Sequence, residues 1–234
     1  MIKIIAFDAD DTLWENEVLY IKIQEQLAQI LGEYGSKEEI LENLFQTEMK
    51  NLPLFGYGIK SFGLSMIETA MTTSKQQIPS AKIAEIVEMI RYMLTYKLAV
   101  YPGVEETLQA LSQTYPLVMI TKGDLLDQDL KVERSGLRNY FKGIEIVAKK
   151  EEQTYQTIMD KYNVQAGQFL MVGNSLRSDV LPVVALGGIG VYLENAPAWA
   201  HEHEIPPEHQ TLNYHTIATL PALIPLLNQL TGKS

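Results

Sequence analysis

The chain of 234 residues carries a formal net charge of −10, is 46% hydrophobic and 21% charged, and contains no cysteine. An acidic surface repels nucleic acid and anionic membranes, and the missing cysteines remove disulfides, thiolate catalysis and zinc–thiolate sites together. The length suits one large domain, or a core domain with a smaller one inserted. No apolar run approaches the roughly 18 residues of a membrane span, and the sequence opens on a strand pattern rather than a signal peptide. We therefore expect a cytoplasmic protein, monomer or homodimer, with neither nucleic acid nor membrane as a partner.

The first element is the short apolar run Ile4 to Phe7, which reads as a buried strand. Asp is a poor strand former, so the strand should end at or just after Asp8. Asp8, Asp10 and Asp11 then crowd the strand's C-terminal lip, where open α/β sheets bind ligands. Residues two apart in an extended segment share a face. Asp8 and Asp10 are thus expected to point into one space and Asp11 away from it. Two carboxylates so close repel unless a cation neutralises them. The stretch points to a hard cation, to acid–base chemistry, or to both.

From residue 15 to residue 98 the period is helical. Leu19, Ile23, Leu27, Ile30 and Leu31 mark the first helix. Ser36 and Glu39 form a capping-box pattern for the second, which is expected to break at Pro53 and Gly56 to Gly58. Ile59, Phe62, Met66 and Ala70 mark a third, and Pro79-Ser80 opens a fourth. The methionine and aromatic stripes here read as core packing, and four helices without a strand read as a small bundle.

After Tyr101-Pro102-Gly103, strands and helices alternate. A helix over Val104 to Ser112 leads to the strand Leu117 to Ile120, ending at Thr121-Lys122-Gly123-Asp124. A helix over about 125–135 closes at Gly136. The strand Ile144 to Val147 runs into Lys149-Lys150, and Glu151 and Glu152 open the next helix. Phe169 to Val172 ends at Gly173-Asn174-Ser175. A helix over 176–186, despite Pro182, leads to the strand Ile189 to Leu193. The last forty residues read as loop-rich, with a helix near Pro221 to Leu230. His201, His203, His209 and His215 fall in this part, beside Pro206, Pro207 and several Glu, and read as an exposed loop rather than a transition-metal site.

Such alternation predicts an α/β fold with a Rossmann-like parallel sheet covered on both faces. The core is expected over residues 1–14 and 99–234, with an inserted all-helical domain over 15–98. Parallel strands end on one edge, so Asp8, Asp10, Thr121, Lys149 or Lys150, Asn174, Ser175 and Asp179 should converge there. Carboxylates and an amide oxygen suit Mg²⁺. The Thr121 hydroxyl, with the backbone N–H groups at Thr121 and Lys122, suits a phosphate oxygen. A lysine can balance an anionic nucleophile and a substrate phosphate. Lys150, immediately before the acidic helix start, is preferred over Lys149.

Four segments in this order resemble the haloacid dehalogenase superfamily over nearly the whole chain. They are Asp8-Ala9-Asp10-Asp11-Thr12, Thr121, the lysine before a helix, and Gly173-Asn174-Ser175-Leu176-Arg177-Ser178-Asp179. The helical insertion is similar to the family's type C1 cap. The resemblance implies a Mg²⁺-dependent phosphatase of a small phosphorylated metabolite. In it Asp8 attacks phosphorus, Asp10 is the acid and then the base, and Thr121, Lys122 and Lys150 bind phosphate. Mg²⁺ is held by Asp8, Asp10 (through its backbone carbonyl), Asn174 and Asp179. Asn174 stands where many relatives carry Asp, which implies weaker metal binding, and Asp179 can compensate directly, through a water, or by pairing with the lysine. Alternatives within the superfamily are a 2-haloacid dehalogenase, disfavoured by Asp10, and a phosphomutase. A non-catalytic binding relative is the alternative from another class.

Overall fold

The structure, a computed structural model, describes residues 1–194 and 212–232. His201, His203 and His209 lie outside the described residues. Six strands form one sheet in the order β3-β2-β1-β4-β5-β6. They are β1 (Ile4–Phe7), β2 (Leu117–Lys122), β3 (Gly143–Val147), β4 (Phe169–Gly173), β5 (Ile189–Leu193) and β6 (His215–Ile217). β1 lies parallel to both β2 and β4, with Phe7 level with Met119 on one side and Val172 on the other. The chain winds outward from β1 in one direction and then returns to wind outward in the other. The order therefore reverses between β1 and β4, the position where such sheets leave a crevice at their C-terminal edge.

The central strands β1, β2 and β4 are buried on both faces, which is why they are near-continuously apolar rather than alternating. Ile5, Phe7, Leu117, Met119, Leu170 and Val172 face a core completed by Val104, Leu108 and Leu111 of α5 (Val104–Ser112), Val132 of α6 (Leu125–Ser135), and Leu223 and Leu227 of α9 (Leu223–Thr231). Ile4, Ala6, Val118, Ile120, Phe169 and Met171 face the opposite one, with Tyr155, Ile158 and Met159 of α7 (Glu152–Lys161) and Val183 of α8 (Leu181–Ala185). Residues alternate between the two sets, as the strand period of two requires.

The chain divides into two compact units. One comprises Met1–Glu17, Leu98–Thr121 and Lys131–Ser234; the other comprises Val18–Lys97 and Lys122–Leu130. The second unit holds most of α1 (Glu17–Ile30), with α2 (Lys37–Phe55), α3 (Ile59–Thr73) and α4 (Ser80–Thr95). Leu19, Ile23, Leu27, Leu31, Ile40, Leu44, Phe62 and Met66 form its own apolar core. The capping box at Ser36 is formed in both directions. No helix among the described residues is long and apolar enough to cross a membrane.

Three expectations change. α2 runs through Pro53 to Phe55 and stops at Gly56, whose φ of +72° suits glycine. A proline in the last turn forgoes a single hydrogen bond, so it does not break the helix. The segment 176–186 is not one α-helix: Leu176–Val180 is a π-turn, followed by α8 with Pro182 tolerated in its first turn. β6 was not expected at all. It is three residues long and pairs parallel with β5.

Candidate active site

Asp8 follows β1 directly, and its N–H donates to the Val172 carbonyl at 2.9 Å. The pairing of β1 with β4 thus continues up to the first carboxylate and fixes where it starts. The side chain is buried, and both its oxygens are engaged. The Thr12 hydroxyl donates to Oδ2 at 2.8 Å, and the Lys150 ammonium donates to Oδ1. Lys150 also donates to Asp179 Oδ1 at 2.7 Å. The other oxygen of Asp179 accepts the Ser175 N–H at 3.0 Å. A Cβ at Gly173 would lie 2.3 Å from that oxygen, so glycine at the end of β4 is what admits Asp179. The π-turn that carries Asp179 is held by the Tyr155 hydroxyl on the Ser178 carbonyl and by the Ser178 N–H on Ser175 Oγ.

Lys150 is buried between the two carboxylates, whereas Lys149 is exposed. Burial alone would lower the lysine's pKa, but the charges of Asp179 and Asp8 outweigh it and hold the ammonium above its usual range. Two buried carboxylates share this one cation. Burial pushes Asp179 up to about 7, while Lys150 pulls it down and Asp8 adds to the rise.

Asp10 has a different set of partners. Its Oδ1 accepts the Trp14 indole N–H at 2.7 Å, and Lys131 Nζ lies 3.0 Å from each of its oxygens. Lys131 also donates to Asn16 Oδ1 at 2.8 Å. Asp8 and Asp10 are therefore served by separate lysines. Nothing in the sequence pointed to Lys131. It lies within an ordinary helical pattern, 121 residues from the carboxylate it pairs with.

Asp11 turns inward instead of away. It is buried at φ +59° and accepts the N–H groups of Asn16 and Glu17 at the entry to α1. Burial raises its pKa to about 7, opposed by those two bonds and assisted by the charges of Asp10 and Asp8. Thr121 is buried at the end of β2. Lys122, the next residue, groups with the helical unit, where its ammonium lies 4.0 Å from the centroid of the Tyr57 ring. In the same unit Lys60 pairs with Asp124 at 2.8 Å.

The residues present fit a hard cation. The Thr12 hydroxyl lies 2.8 Å from Asp8 Oδ2 and 3.3 Å from the Asn174 amide oxygen, so both oxygens border the same hydroxyl. With both carboxylates ionised, the buried group of Asp8, Asp179 and Lys150 would carry one negative charge in excess, which a cation would balance. Among the described residues no three His, Asp or Glu side chains are grouped to hold a metal by themselves. Carboxylate and amide oxygens are the donors a hard cation such as Mg²⁺ takes.

Paired carboxylates and a buried lysine lie where the strand order of a parallel sheet reverses, the position at which such folds bind ligands. The chain belongs to the haloacid dehalogenase-like hydrolases, whose family model matches residues 2–187. It is similar to the 5-amino-6-(5-phospho-D-ribitylamino)uracil phosphatase YigB of Escherichia coli, with 26% identity over 76% of this chain and 78% of that protein. It is also similar to the glyceraldehyde 3-phosphate phosphatase of Pyrococcus furiosus, with 24% identity over 99% of this chain and 95% of that one. Among solved structures, a haloacid dehalogenase-like family hydrolase from Xanthomonas campestris matches 99% of this chain and 94% of its own, with a TM-score of 0.85 and 36% identity.

Proposed function

We propose that this enzyme is a Mg²⁺-dependent phosphatase that hydrolyses a small phosphorylated metabolite through an aspartyl-phosphate on Asp8. It is a phosphoric monoester hydrolase, as the similar phosphatases support. The observation that carries the mechanism is the buried chain Thr12–Asp8–Lys150–Asp179. It holds one buried carboxylate oriented at the strand end, with a hydroxyl on one oxygen and an ammonium on the other, as a nucleophile requires.

Asp8 attacks phosphorus as the bond to the leaving oxygen breaks. Asp10 protonates that oxygen, then takes the proton of the water that hydrolyses the aspartyl-phosphate. Thr121 and Lys122 bind phosphate oxygens, and Lys150 balances the charge of Asp8 and of the phosphate. Mg²⁺ would be held by Asp8, the Asp10 carbonyl and Asn174, where it neutralises charge on the nucleophile and the phosphate. Asp179, whose oxygens engage Lys150 and the Ser175 N–H, serves that cation through a water or by fixing Lys150. The helical unit serves as the cap that restricts the enzyme to small substrates, with Tyr57 and Lys60 among its selecting residues.

Hydrolysis of p-nitrophenyl phosphate in Mg²⁺ tests the reading. Asp8→Asn should lower the rate by more than about 10³-fold, and excess chelator should stop the wild type. Turnover that survives in purified Asp8→Asn sinks the mechanism, and turnover in chelator sinks the metal dependence.

A further inference from the structure

Lys131 takes no part in the steps above, yet it is only 3% exposed and sits against Asp10. Burying an ammonium is expensive unless it is paired and hydrogen-bonded. Here the partners include both oxygens of Asp10 and the Asn16 side chain. Trp14 adds a second fixed donor. Its ring is fully buried, its backbone pairs with Asp10 and Val100, and its indole N–H reaches Asp10 Oδ1. A carboxylate on a free side chain samples several rotamers. One gripped across both oxygens by a buried cation, and on one of them by a rigid indole, is confined to a single pose.

We propose that Lys131, together with Trp14, is a positioning residue for Asp10. It holds the carboxylate where it can give a proton to the leaving oxygen and later receive one from water. This rests on the phosphatase reading, in which Asp10 is the acid and base. Asp10 first takes up a proton from solvent; in the first step that O–H bond breaks as the leaving oxygen gains the proton, and the electron pair of the P–O bond stays on that oxygen. In the second, water loses a proton to Asp10 as its oxygen bonds to phosphorus and Asp8 is released. Lys131 bonds Asp10 and Asn16, so in this proposal its effect passes through the placement of Asp10.

The dependence on leaving group separates this role from a structural one. The test compares kcat/KM for phenyl phosphate, whose leaving group needs a proton, with that for 2,4-dinitrophenyl phosphate, whose leaving group does not. kcat/KM reports the steps up to departure of the leaving group, whereas kcat also contains hydrolysis of the phosphoenzyme. Lys131→Met and Lys131→Gln should lower kcat/KM for phenyl phosphate by about tenfold or more and change it for the dinitrophenyl ester by no more than about threefold. Trp14→Phe should act in the same direction more weakly. Circular dichroism confirms that the variants are folded. Where neither lysine variant folds, Trp14→Phe decides alone.

Equal losses on the two esters, or no loss, in folded variants overturn the proposal. Asp10→Asn supplies the separate check on the underlying reading. If Asp10→Asn itself fails to discriminate between the esters, the role given to Asp10 is wrong. If Asp10→Asn discriminates and the Lys131 and Trp14 variants do not, only the positioning role falls.

Discussion

Between Val18 and Lys97 the buried polar side chains are Asn51, Ser65, Thr69 and Ser74, all of them neutral. The α/β unit buries Asp8, Asp11, Lys131, Lys150 and Asp179, and the segment Lys122–Leu130, which groups with the helices, buries Asp127. Both stretches have a well-formed apolar core, so the contrast is not one of packing. Buried charges destabilise a fold unless they are paired, and even paired ones are often matched or bettered by apolar residues. A chain that concentrates them at the C-terminal edge of one sheet gives up stability there for chemistry. In the helical stretch Asn51 of α2 meets Ser65 of α3, and Ser74 bonds backbone groups at the end of α3, so its buried polar contacts are made by neutral side chains.

Removing the shared cation should give the largest effect on stability. Lys150→Met leaves two carboxylates buried without their ammonium, and should lower the unfolding free energy by about 3–5 kcal/mol in denaturant titrations without added metal. A loss under about 1 kcal/mol would mean that the buried charges are far better solvated than their burial indicates. In the helical unit, Leu27→Ala removes a fully buried side chain and should cost about 3 kcal/mol. Unlike Lys150→Met, it should leave kcat for p-nitrophenyl phosphate within about twofold wherever the variant is folded. A large fall in kcat would show that this core is coupled to the chemistry, and would break the contrast. Ser65→Ala, which deletes a buried hydroxyl bonded to Asn51 and to the Ser61 carbonyl, should cost only about 1 kcal/mol.

The sheet was legible because its strands are short apolar runs punctuated by glycine, proline and acidic residues. The Asp8–Lys150 neighbourhood was legible because parallel strands must end on one edge. Lys150 separated from Lys149 by its place before an acidic helix start. What could not be read is equally physical. β6 is too short to show a period, and its edge position is set by β5. The inward turn of Asp11 depends on φ +59° and on the N–H groups of a helix start that lies five and six residues further on. Lys131 carries no local signal, since a lysine in a polar helix reads as solvated until the fold brings Asp10 to it.

In this mechanism Asp8 itself becomes phosphorylated. Enzyme turning over a ³²P-labelled phosphomonoester in Mg²⁺, quenched in acid and then reduced with borohydride, tests it directly. The account predicts label on the quenched protein and, after reduction, homoserine in place of aspartate at residue 8. Steady turnover by an enzyme that carries no label, or label at any other residue, would contradict it.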